Sequence, residues 1–172
     1  MMGILRRLFA DRRASAATEM ALVTPLLLLL LFGTFEVGNY FLSEHVVQKG
    51  VRDAARYASR LPISSYPACA PTGPVEQQIR RVAKTGDPDG DADNNGSQDV
   101  RVGGWTADTM TTVTLVCVPL STSPYTGIYS VYPFPDGVPV VTVSARVPYL
   151  SLFGLLALGN LNAASQSAVF AQ

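Results

Sequence analysis

Residues Arg12–Leu31 read RRASAATEMALVTPLLLLLL: two arginines, a stretch of small residues, one carboxylate at Glu19, then an apolar run. From Met20 to Phe35 only Thr24, Pro25, Gly33 and Thr34 break that run. As a helix these residues span roughly 24 Å, short of the ~30 Å hydrocarbon core of a bilayer. Continued through Glu36, Val37, Gly38 and Asn39 to Leu42, the helix reaches about 34 Å and crosses it. A charged group at the edge of hydrocarbon is costly unless something compensates it, so Glu19 requires a partner or a headgroup environment.

Working outward, the 172-residue chain carries 13 basic and 13 acidic side chains, but they are not evenly spread. The first 14 residues hold Arg6, Arg7, Arg12 and Arg13 against Asp11 alone, which leaves 9 basic and 12 acidic side chains in the remainder. Basic residues before an apolar helix predict an amino end retained in the cytoplasm and an exported carboxyl-terminal part. A cleaved secretory signal would end in a small-residue site soon after the apolar core, whereas GTFEVGNYFLSEHVVQKGVRDAARYASR keeps reading as helix. The RRLF at Arg6–Phe9 resembles a twin-arginine signal only faintly, because paired arginines before a membrane helix are ordinary topology signals. The reading carried forward is an anchor that stays attached to an exported domain. The later arginines are scattered, with no aromatic-rich basic stripe, so no nucleic-acid partner is expected.

Beyond Leu42, the residues Val46, Val47, Val51, Ala54, Ala55 and Ala58 recur at steps of three and four, with charged residues between them. This periodicity predicts an amphipathic continuation to about Arg60, stopped by Leu61-Pro62. Its outer half then needs a domain to pack against. PISSYPACAPTGP, residues 62–74, is a Pro-rich loop; Pro74 opens a short helix with Val75, Ile79 and Val82 on one side and Gly86 past its end. TTVTLVCV (Thr111–Val118) and VPVVTVSARV (Val138–Val147) are β-branched and partly alternating, and Leu161–Ala171 supplies a weaker closing strand. The expected fold is α+β and pilin-like: a long amino-terminal membrane helix continuing into a small antiparallel β-sheet head. The expected organisation is a basic leader over 1–14, a helix over 15–60 with its membrane part at about 20–42, and an exported β-rich head over 61–172.

SAATEMALVTPLLLLLLFGTFEVG followed by VRDAARYASR resembles the TadE-like minor pseudopilins of bacterial tight-adherence (Tad) pilus systems. The resemblance is strong over residues 12–60 and extends to the remainder only in layout. It rests on Glu19 before the apolar run, Pro25 within it, Glu36 at its far side and AARYAS at the helix end. The resemblance implies cleavage by a prepilin peptidase between Ala14 and Ser15, with alanine standing where such leaders usually carry glycine. It implies as partners other pilins and pseudopilins, inner-membrane platform proteins and an assembly ATPase, besides membrane lipid. It places the chain in the bacterial inner membrane with a periplasmic head, or in a surface pilus. Cleavage would create an α-amino group one helical turn from Glu19, and in stacked subunits that carboxylate could meet a neighbour's amine and set axial register. Placement of Glu19 among lipid headgroups is the competing reading. Glu36 is a second candidate docking carboxylate, although with Asn39 three residues on the preferred reading is an interfacial group reaching water.

The acidic loop DPDGDADNNGSQD carries the main cofactor signal. Asp91, Asp93 and Asn95 alternate before Gly96, as in the first half of a D-x-[DN]-x-[DN]-G calcium loop, with Asp87, Asp89 and Asp99 adding carboxylates. Position twelve falls on Val102, so the bidentate glutamate is missing, and a calcium ion competes on equal terms with a solvated acidic turn. Cys69 and Cys117, the two cysteines, predict a disulfide in an exported domain, with two unpaired thiols as the alternative. His45 is the one histidine and lies on the exposed side of the helix pattern, while Trp105 reads as a core or loop anchor. Without a phosphate loop, nucleophile motif or histidine metal cluster, an enzyme is not expected. YLSLFGLLALGNL (Tyr149–Leu161) is too short to span a bilayer; burial against the long helix is the preferred reading, ahead of a partner surface or a patch on the bilayer. The expected function is a minor pseudopilin of pilus initiation or tip, and the alternative is a permanently anchored, calcium-responsive envelope binding protein.

Overall fold

In the computed structural model, residues 12–90, 99–119, 137–154 and 158–169 are described. Helix α1, Arg12–Arg60, has 49 residues and is assigned without a break through Pro25. Two short 3-10 turns, Ile63–Ser65 and Pro67–Cys69, lead to helix α2, Gly73–Thr85. Strands β1 (Thr111–Val118), β2 (Val138–Pro148) and β3 (Asn160–Ala168) follow. They form an antiparallel meander in the order β1-β2-β3, with Val113 opposite Val143 and Val147 opposite Leu161. The fold is α+β, a long apolar helix followed by a small sheet.

By internal contacts the chain divides into two compact units, one of Met1–Tyr40 with Ser151–Ala157, the other of Phe41–Leu150 with Leu158–Gln172. The second has a conventional core. Val47, Val51, Ala54, Ala55 and Ala58 of α1 are fully or almost fully buried, as the three- and four-residue spacing predicts. Ile79 and Val82 of α2 join them, with Val141, Val143, Ala145 and Val147 from alternate positions of β2. Gly50 fits here because it lacks a side chain: a Cβ would strike the Ala83 carbonyl oxygen and approach the Trp105 ring. Trp105 is wholly buried, and its indole N–H donates to Thr111 Oγ1 at 3.2 Å, so the ring's polar edge is satisfied inside the core.

Polar ties complete this unit. Arg101 pairs with Asp53 of α1 at 2.9 Å, and Lys84, almost buried at the end of α2, pairs with Asp108 at 2.6 Å. Gly86 ends α2 in the left-handed conformation, φ 98°, where glycine has no Cβ penalty, and its N–H returns to Val82 O. The Tyr66 hydroxyl donates to Ala58 O at 2.6 Å, capping a carbonyl of the last turn of α1. Burial, together with the neighbouring Tyr57, holds the Tyr66 phenol well above its ordinary pKa. Cys69 and Cys117 are joined in a disulfide, with Cα atoms 5.9 Å apart, so the loop after α1 is stapled to β1.

Candidate functional site

The candidate site lies in the other unit, on the first part of α1. Described side chains from Ala16 to Leu31 are all exposed, among them Leu22, Leu26, Leu29 and Leu30. Where the apolar run carries hydroxyls, they turn back onto the helix: Thr24 Oγ1 donates to Met20 O at 2.6 Å and Thr34 Oγ1 to Leu30 O at 2.7 Å. Such bonds remove the cost of a hydroxyl in hydrocarbon. By length and composition the helix could cross a membrane.

Glu19 is exposed on this helix, one turn into its described side chains. Ala14 and Ser15 lie in the first helical turn of α1, so the bond between them is part of the helix. The structure therefore sets Glu19 and the expected cleavage bond on one continuous element about a turn apart.

Glu36 departs from expectation. It was expected to reach water at the membrane edge, but its side chain is wholly buried. The Leu152 N–H donates to both carboxylate oxygens, at 3.2 and 3.1 Å, and the Phe153 N–H donates to Oε2 at 3.0 Å. Two successive main-chain donors from the β2–β3 connection thus converge on one carboxylate, a charge-assisted arrangement of the kind that replaces water. Beside it, the Phe32 and Phe153 rings pack with centroids 5.0 Å apart at 54°. Gly33, Asn39 and Tyr40 are half-buried while their neighbours Thr34, Phe35, Val37 and Gly38 stay exposed, so Glu36 lies on the less exposed stripe of this part of the helix.

The apolar stretch at Tyr149–Leu161 was expected to be buried against the long helix. Its described part is divided: Leu161 is wholly buried in β3, whereas Leu150, Leu152 and Phe153 remain 58%, 59% and 48% exposed, with Phe153 in contact with Phe32 of the helix. The donors that hold Glu36 were not visible in the sequence, because every non-proline residue carries a main-chain N–H. The one signal was an apolar stretch with no assigned partner.

Of the acidic loop, Asp91, Asp93 and Asn95 lie outside the described residues. Asp87 is held by its own backbone, its N–H donating to Thr85 Oγ1 at 3.2 Å, while Asp89 is exposed and Asp99 half-buried. Asp89 and Asp87 lie near enough to Tyr57 to add to the burial that raises its pKa. Among the described residues no group of three or more His, Cys, Asp or Glu side chains gathers at one point. His45 is exposed on α1.

Set beside known families, residues 14–56 match the model described as TadE-like protein. The matched segment covers Glu19, Pro25, Glu36 and most of α1. No curated protein and no solved structure matches the chain.

Proposed function

We propose that the chain is a membrane-anchored structural subunit of a Tad-type pilus system, a minor pseudopilin that docks to neighbouring subunits through α1 and performs no chemistry itself. The observation that carries this reading is the TadE-like match over residues 14–56, on a helix whose apolar residues face outward and whose first turns hold Glu19. An exposed apolar helix suits both stages of such a life, lipid before assembly and other helices after it.

In this reading a prepilin peptidase cuts between Ala14 and Ser15 on the cytoplasmic side, and an inner-membrane platform and assembly ATPase act on the product. The new α-amino group is positively charged near neutral pH and lies one turn from Glu19. In a stack of helices Glu19 meets the amine of the next subunit, since either charge alone in an apolar bundle is costly.

Mass spectrometry of the protein from cells with active prepilin peptidase tests the reading. A mature amino terminus at Ser15 is expected; an intact leader would refute it and favour a permanently anchored envelope protein. Glu19→Ala is expected to be cleaved yet to be lost from assembled filaments.

A further inference from the structure

Three consecutive main-chain N–H groups in the β2–β3 connection are satisfied without water. Those of Leu152 and Phe153 bond to Glu36, and that of Gly154 bonds to Ser151 Oγ. The side chains on this stretch do the reverse: Leu152 and Phe153 keep much of their apolar surface exposed, with the Phe153 ring packed against Phe32 of α1. A turn in water has no need of this arrangement, because solvent would hydrate the amides and the carboxylate at once. Hydrocarbon demands it. Non-helical backbone is tolerated at membrane depth only where its polar groups find partners within the protein.

Depth along α1 agrees. Glu36 lies 16 residues beyond Met20, roughly 24 Å along the helix, so a ~30 Å hydrocarbon core entered at Met20 ends several ångströms past it. We propose that the apolar turn Ser151–Gly154 inserts among the lipid acyl chains of the outer part of the bilayer, with Glu36 as the internal acceptor for its main chain. Lipid is the occupant the observations favour, since the turn's outward surface continues the exposed apolar surface of α1 within one compact unit. The inference rests on the membrane-anchored reading above.

The test uses the full chain, with the Cys69–Cys117 disulfide kept oxidised, in vesicles of phosphatidylethanolamine and phosphatidylglycerol. A Leu152→Cys variant carries an environment-sensitive fluorophore; Leu28→Cys on the apolar run and Gln166→Cys on the exposed side of β3 serve as references. Nitroxide lipids, labelled near the headgroup to report on the Leu152 probe and at mid-chain to report on the Leu28 probe, should quench the Leu152 probe several-fold more than the Gln166 probe, and aqueous iodide several-fold less. Equal iodide quenching at 152 and 166 would overturn the insertion, and shielding from both quenchers would overturn it in favour of a protein neighbour. If the Leu28 probe also escapes the nitroxide lipids, the membrane-anchored reading falls; if it is quenched and Leu152 is not, the insertion alone falls. Glu36→Ala should raise iodide quenching at Leu152 toward the Gln166 level, with Glu36→Gln between, because the amide keeps one acceptor oxygen. No change in Glu36→Ala would remove Glu36 from the proposal.

Discussion

The two compact units bury opposite kinds of residue. In the unit of the sheet the fully buried side chains include Val51, Ile79, Trp105, Val143 and Leu161, and ion pairs such as Arg101–Asp53 keep partial contact with solvent. In the unit of the apolar helix, leucines and phenylalanines face outward and the buried residue among those described is Glu36. The same rule accounts for both: a group hides from whichever solvent would not accept it. The inversion teaches that the first part of α1 has a surface suited to apolar surroundings, while its second part packs into a core of the ordinary kind, apolar inside and polar outside.

The largest expected effect concerns the sheet unit. The disulfide closes a loop of 48 residues, for which chain entropy gives about 4 kcal/mol. Cys69→Ser should lower the stability of this unit by roughly that amount, read from urea unfolding of the vesicle-bound protein by the fluorescence of Trp105, the one tryptophan in the chain. The helicity of the membrane part should persist through the transition, since urea does not compete with lipid for an apolar helix. A single transition that removes all helicity would break the distinction between the units.

Glycines on α1 sharpen the same contrast. Around Gly33 and Gly38 a Cβ would meet nothing within 4 Å, whereas at Gly50 it would strike the Ala83 carbonyl. In an open helix Gly→Ala is favourable by up to ~1 kcal/mol, but overpacking against backbone costs about 1–3 kcal/mol. Gly50→Ala should therefore lower the urea midpoint, and Gly33→Ala and Gly38→Ala should leave it unchanged. An unchanged midpoint in Gly50→Ala would mean that α1 and α2 can separate at little cost.

What was readable in advance follows from how local each signal is. The helix to Arg60, its stop at Leu61-Pro62, the left-handed Gly86 and the three strands are written in spacing, proline and β-branched content within a few residues. The disulfide was readable because only two cysteines occur. Glu36 was misread because its partners lie 116 and 117 residues away and are main-chain amides. Position within an apolar run gives the cost of a carboxylate, not the group that meets it. The Tyr149–Leu161 stretch failed for the complementary reason: an apolar sequence announces that water is unfavourable without saying whether protein or lipid replaces it.

The smallest effect tests how far the sheet unit behaves as a soluble protein, through its tyrosines. Tyr66 is buried, bonded to Ala58 O, and its pKa is raised by burial; Tyr57 is raised by burial and by Asp89 and Asp87. A phenol whose pKa is higher folded than unfolded holds its proton more tightly in the native state. Its contribution is therefore complete below the unfolded pKa of about 10 and is lost as pH rises through the folded value. The stability of the sheet unit should fall as the medium passes from pH 9 to pH 11. Tyr66→Phe should cost about 1 kcal/mol at pH 7, the net worth of one hydrogen bond, and should flatten most of that alkaline decline. Tyr57→Phe, whose bond to Gln78 is longer at 3.4 Å, should flatten less of it. An alkaline decline that survives Tyr66→Phe intact would place its source elsewhere and would show that the end of α1 opens to solvent before Tyr66 ionises.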